Sequence, residues 1–260
     1  MKVVFWNGIS EAESLTGYVA AIGTILASKF HAEAVLGCNF ISNHMLQDCF
    51  FSKMKEDGAA HPPYRYLYDS PEYYNALWKM KQNRQGNILE IPRTGVKIVY
   101  PPEIDEKRMF YLDIPEEVFY LLELAGESNL VFQGALEEAD LIVVFLPQDV
   151  AKIQKFFYRY SSLVSKAIFV IVEKHRIDRA SYRKIVAEYG IKYKNIGSIP
   201  WSKTFISACE EGRLELFLKE NDSEKGKQYH FVLGLDRIAR LLYERKNKTE
   251  QEEVEKHKEI

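Results

Sequence analysis

The chain has 260 residues, of which 47% are hydrophobic and 13% aromatic, and its formal net charge is −2. That length suits one large α/β domain or two small ones, and the apolar share fills a packed core, which excludes a globally disordered chain. A charge so close to neutral argues against a protein coated in nucleic acid, although it leaves room for a local basic face.

In chain order, Val3-Val4-Phe5-Trp6 predicts a buried strand over 2–6, Asn7 to Ser14 a loop, and Leu15 to Lys29 an apolar helix. A second strand is expected over 33–38, then helices over 43–53 and 71–82. Residues 54–105 differ from the rest. They hold Asp57-Gly58, His61-Pro62-Pro63 and a cluster of Tyr64, Tyr66, Tyr68, Tyr73 and Tyr74. From Ile88 to Pro102 the pattern alternates on both sides of Arg93-Thr94-Gly95, as in a hairpin. The segment reads as an insertion over the sheet edge or its carboxyl rim.

Further on, strands are expected over 108–113, 140–146, 167–172 and 195–199. Those over 140–146 and 167–172 are nearly continuous apolar runs, as for strands buried on both faces. Helices are expected over 128–138, 148–162, 178–189, 202–220 with a break near Gly212, and 228–246. A helix start at Pro115-Glu116-Glu117 would make Asp113 its cap. The alternation predicts an α/β fold with a mostly parallel, doubly wound sheet and helices on both faces. Residues 1–246 form one domain. Residues 247–260 carry eight charges and only Val254 and Ile260 as aliphatics, so they read as a solvated, frayed tail.

Cys38, Cys49 and Cys209 have no CxxC spacing and read as reduced, buried thiols. The six histidines show no zinc-binding spacing, and no GxSxG nucleophile motif is present. The apolar run after Lys2 is too short for a signal peptide, and no stretch approaches the ~20 apolar residues of a membrane span. The expectation is a soluble, cytoplasmic protein.

Four segments in order resemble the MinD/ParA family of deviant P-loop ATPases. Val3 to Ala27 occupies the P-loop position. Met109-Phe110-Tyr111-Leu112-Asp113-Ile114-Pro115 is similar to the strand ending in the family's Asp-x-Pro switch. Ala139 to Val144 with Leu146-Pro147-Gln148 is similar to the next strand and turn. Asn195 to Pro200, followed by Trp201 to Arg213, is similar to the late strand, "IP" loop and helix. The similarity covers most of residues 1–245 and is weakest over 54–105. The opening Phe5-Trp6 strand resembles a divergent branch, in a wider group that includes the TadZ/CpaE pilus-positioning proteins. The resemblance implies a P-loop NTPase fold and a nucleotide site formed by Ser10, Glu11, Ser14, Leu15, Thr16, Asp113, Glu173 and Pro200.

The departures from the family decide what that site implies. Active members carry Lys-Gly-Gly-x-Gly-Lys-Thr where this chain has Ser10 to Thr16. Ser10 and Leu15 stand at the two lysine positions, and only Thr16, the magnesium hydroxyl position, is kept. Glu11 and Glu13 add negative charge, and each like-charge contact at ~4 Å costs about 4 kcal/mol at an effective dielectric near 20. Cys38 or Asn39 takes the place of the water-positioning aspartate. Thr16 and Asp113 would meet a metal only as part of a bound magnesium nucleotide. The loop is then either an ordinary βα connection, with glutamates favoured by the helix dipole, or a dismantled nucleotide site. Glu173 is either a solvated loop residue or an acceptor for an adenine amino group.

The reading that follows is a catalytically inactive scaffold or positioning factor, without a cofactor, acting through a protein partner or homodimer. The alternatives are a slow nucleotide-binding ATPase using MgATP, or a DNA-associated partition-type factor using Arg237, Arg240 and Arg245. Against DNA, Glu250, Glu252, Glu253 and Glu255 follow at once. The tail has no apolar face to bury in a bilayer, so membrane attachment through it is rejected. Residues 64–78, ending in Trp78, are either a protein-contact surface or a satellite core.

Overall fold

The computed structural model describes residues 1–7, 15–37, 46–50, 87–91, 94–100, 115–124, 130–173 and 188–258. Among them the strands are β1 (Lys2–Trp6), β2 (Ala34–Gly37), β3 (Asn87–Glu90), β4 (Val96–Tyr100), β5 (Phe119–Leu124), β6 (Leu141–Pro147), β7 (Ala167–Glu173) and β8 (Ile196–Pro200). They form one sheet in the order β3-β4-β2-β5-β1-β6-β7-β8. Every pairing is parallel except β3 with β4, which is antiparallel and forms one edge. The helices are α1 (Leu15–Phe30), α2 (Leu130–Glu138), α3 (Val150–Tyr160), α4 (Lys203–Glu210), α5 (Leu214–Glu220) and α6 (Tyr229–Lys258).

The central strand runs are almost continuously apolar because both faces are covered. Side chains alternate across a strand. Val3, Phe5, Leu121, Val143 and Val170 therefore share one cluster with α1, α4, α5 and α6. Val4, Trp6, Leu122, Val144 and Phe169 share another with α2 and α3. The first of these layers is the thicker. Helix α1 is buried from Leu15 through Leu26, which explains why its sequence is apolar all round. Two glycines let it approach its neighbours. A Cβ on Gly23 would fall 2.7 Å from Leu36 Cδ2, and one on Gly17 would fall 2.9 Å from Cys209 Sγ.

Most expected elements form, with boundaries shifted by one or two residues. The strand expected over 108–113 lies outside the described residues. Three readings change. First, no helix starts at Pro115. Residues 116–118 turn, with Val118 N–H donating to the Pro115 carbonyl at 3.0 Å, and the chain enters β5. Proline followed by two glutamates suits a turn as well as a first helical turn, and sheet pairing on both sides of β5 decides for the strand.

Second, the alternation around Arg93-Thr94-Gly95 does make a hairpin, but one built into the sheet and not laid over it. β4 pairs with β2, and Gly95 takes a left-handed φ of 73° in the connection. Thr94 fixes that connection by donating its hydroxyl to the Ile91 carbonyl and accepting from Val96 N–H. Third, the segment read as a frayed tail continues α6 as helix to Lys258. At ~1.5 Å per residue this helix is about 45 Å long. The helices expected over 71–82 and most of 178–189, and the tyrosine-rich segment, lie outside the described residues.

Candidate functional site

Parallel sheets place ligand groups at the carboxyl ends of their strands, where the connections to the helices begin. At the centre of that edge β1 ends at Trp6 beside Leu124 of β5, with Phe5 paired to Glu123. Glu123 therefore points to the same face as Phe5, toward α1. Its carboxylate accepts a hydrogen bond from the Thr16 hydroxyl at 2.8 Å, in the first turn of α1. Both residues are 4% exposed. Burial pushes the Glu123 carboxyl up to about 7, against the Thr16 hydrogen bond, which pulls the other way.

Two thiols sit in the same layer. Cys49 closes a short 3₁₀ turn, Leu46–Cys49, and Cys209 lies near the end of α4. The neighbouring Cys209 thiol, burial and the nearby Asp48 and Glu123 push the Cys49 thiol well above its ordinary value. Tyr18 completes the group, stacked between Phe145 and Phe205 at ring separations of 4.9 and 5.3 Å. Burial and the neighbouring Cys209 hold its phenol above the usual range. Two thiols, a hydroxyl, a phenol and a carboxyl thus lie under the start of α1. Among the described residues no group of three or more His, Cys, Asp or Glu is arranged to hold a metal ion.

The remaining expected site residues divide clearly. Glu173 and Pro200 are brought together as register partners at the ends of β7 and β8, and Trp201 N–H donates to the Glu173 carbonyl at 2.7 Å. Ser202 then caps α4, its hydroxyl accepting from Phe205 N–H at 3.1 Å. Leu15 is buried against the core and reaches no polar partner site. Ser10, Glu11, Ser14, Cys38, Asn39 and Asp113 lie outside the described residues. The acid that stands beside Thr16 is Glu123, which the sequence reading missed. Its signal was a lone carboxylate near the end of the apolar run Val118 to Leu124, hidden by the helix expected there.

The basic face of α6 is also smaller than the sequence suggested. Arg245 turns inward and hydrogen-bonds the buried Asn195 side chain at 2.5 Å, and burial pulls its guanidinium below the usual arginine value. Arg240 is exposed but lies 3.6 Å from Asp236 and over the Phe30 ring. Arg237 is exposed. Asp236 is shared with Lys29 at 3.1 Å. Among the described residues, no helix is long and apolar enough to cross a membrane.

This sheet order, with the P-loop position between β1 and α1, defines the fold of the MinD/ParA-type P-loop ATPases. The solved structures that share it include MinD in the MinC:MinD cell division complex of Aquifex aeolicus, with a TM-score of 0.60 and 16% identity over 93% of this chain and 95% of that one. A ParA family ATPase from Chlorobium tepidum TLS also scores 0.60, with 9% identity over 91% and 98%. The septum site-determining protein MinD of Pyrococcus horikoshii OT3, complexed with Mg-ADP, scores 0.56, with 10% identity over 92% and 95%. At such identities the likeness is one of fold. No protein-family model matches the sequence, and none of the curated proteins compared with it does.

Proposed function

We propose that this chain is a MinD/ParA-fold protein that works without nucleotide, as a scaffold or positioning factor through protein contacts. The observation that carries the reading is the Thr16–Glu123 pair. A magnesium nucleotide needs a hydroxyl and an ionised carboxylate for the metal, and lysine with bare amides for the phosphates. Here the hydroxyl donates to a carboxyl that burial pushes up to about 7, which disfavours the ionised form a metal needs. The sequence from Ser10 to Leu15 offers no lysine or glycine, and contributes Glu11 and Glu13. These residues do not fit a magnesium nucleotide.

A protein partner suits the fold, since MinD of Aquifex aeolicus is found in a MinC:MinD complex. With Ser10 and Leu15 at the lysine positions, any dimer of this chain is independent of ATP. DNA is a poor fit for α6, because Arg245 is spent on Asn195 and Arg240 lies beside Asp236.

The test is molar mass by sedimentation, together with phosphate release, with and without MgATP. The mass is expected to stay the same and phosphate release to stay at the level of buffer alone. A nucleotide-driven rise in mass, or turnover lost on Thr16→Ala, would replace this reading with that of a slow nucleotide-binding ATPase.

A further inference from the structure

We propose that the cleft between α4, α5 and the loop 221–228 is a docking site for the acidic end of α6 from a second copy of this chain. The cleft has a volume of about 410 Å³. Its floor is apolar, with Ala208 and Phe217 buried and Leu216 48% exposed. Arg213, Lys225 and Lys227 line it as cations, against the single carboxylate of Glu220. Arg213 already pairs with Glu211. Among the described residues the other ion pairs nearby, Lys29 with Asp222 and Lys219 with Glu215, use neither Lys225 nor Lys227. Both lysines are exposed, so the cleft presents positive charge over an apolar floor.

The loop that carries the lysines is held in place before any partner arrives. Asn221 is buried; its side-chain amide donates to the Phe217 carbonyl at 2.8 Å, and its side-chain oxygen accepts from Gln228 N–H at 2.9 Å. Gly226 N–H donates to the Ser223 carbonyl at 2.8 Å. A Cβ on Gly226 would fall 2.5 Å from Asn221 Cα, so the loop closes on Asn221 through a residue without a side chain. A preformed loop loses little conformational freedom on binding, which favours association.

The occupant is identified by its charge and by where it lies. Beyond the buried Lys246, residues Lys248, Thr249 and Gln251 are exposed, yet α6 continues as helix to Lys258. From 250 to 258 it carries Glu250, Glu252, Glu253 and Glu255 against Lys256 and Lys258, with Val254 as its one aliphatic residue. That composition complements three cations over an apolar floor. The same copy cannot supply it. α6 starts at Tyr229, directly after the loop, and position 250 lies about 30 Å further along a continuous helix. The acidic end therefore reaches only the cleft of another copy. Cleft and helix end are different surfaces, so the contact is head-to-tail, and each added copy leaves one of each free for the next.

The test is sedimentation velocity of the full chain without nucleotide, so its outcome does not depend on whether the Thr16–Glu123 centre binds one. At low salt the mean mass should rise with protein concentration to at least twice that of the monomer. At high salt it should fall back to the monomer, because contacts between exposed charges are screened. Lys225→Gln with Lys227→Gln should leave a monomer at low salt, and so should Glu252→Gln with Glu253→Gln and Glu255→Gln. Mixed in equal amounts, the two variants should form a 1:1 dimer and nothing larger, since only one intact cleft and one intact helix end can meet. That dimer also shows that both variants fold. A wild-type chain that stays monomeric at low salt, an assembly that persists in either variant, or variants that remain monomeric when mixed would each overturn the proposal.

Discussion

Under α2 and α3 the sheet meets aliphatic and aromatic side chains, whereas under α1 and α4 the same strands carry Glu123 against Thr16 and a pair of thiols. On the first side Trp6, Phe156, Phe157, Tyr160 and Phe169 pack ring against ring, with Trp6 and Phe156 at 5.2 Å and Phe156 and Phe169 at 6.1 Å. Nothing there asks for a ligand. On the second side a carboxyl, a hydroxyl, a phenol and two thiols are held out of water, and burial of a carboxyl is costly unless a partner or a proton compensates it. One face is there to hold the sheet together. The other keeps polar groups that packing alone does not explain, at the place where this fold puts its ligands.

That contrast predicts effects of different size and different dependence on pH. The largest belongs to the apolar face. Phe156→Ala empties a fully buried ring position and is expected to cost about 3–5 kcal/mol, read by chemical denaturation at any pH between 5 and 8. A loss below about 1 kcal/mol would mean that this cluster is not the structural half of the molecule.

The next prediction concerns Glu123 and is marked by its pH dependence. A carboxyl raised from 4.5 to about 7 keeps its proton in the folded chain while the unfolded chain gives it up. Folding stability therefore falls as pH rises from about 4.5 to 7 and is level above that. Glu123→Gln removes this slope. The stability of the variant relative to wild type should grow by about 2.5 kcal/mol between pH 5 and pH 8, at ~1.36 kcal/mol per unit. A difference that stays constant with pH would mean that Glu123 is ionised in the folded chain. The smallest effect is at the edge of the same face. Ser202→Ala removes the cap of α4 and is expected to cost about 1 kcal/mol, independent of pH.

Much of this architecture was legible in the sequence, and the misses share a cause. β1, β6 and β7 are continuous apolar runs that only a strand covered on both faces can use. Likewise Gly95 marks a turn that needs a left-handed residue. β5 was hidden because Pro115-Glu116-Glu117 satisfies the chemistry of a helix start, and nothing local says that Phe119 to Leu124 pairs with β1 and β2. Glu123 was lost with it. Arg245 looked like part of a basic stripe because its partner, Asn195, lies fifty residues away in sequence, beyond the reach of helical periodicity. The thiol pair was invisible for the same reason. In each case the deciding contact is long-range, and a sequence pattern records only near neighbours.

The central claim is that the Thr16–Glu123 centre has no affinity for a magnesium nucleotide. It is tested most directly by the melting temperature of the protein as MgATP is raised to millimolar concentration. A bound ligand stabilises the folded chain by about 4 kcal/mol at a thousand times its dissociation constant. The account predicts no rise beyond that given by the same concentration of magnesium and an unrelated anion. A rise that saturates at micromolar MgATP and is lost in Thr16→Ala would contradict it.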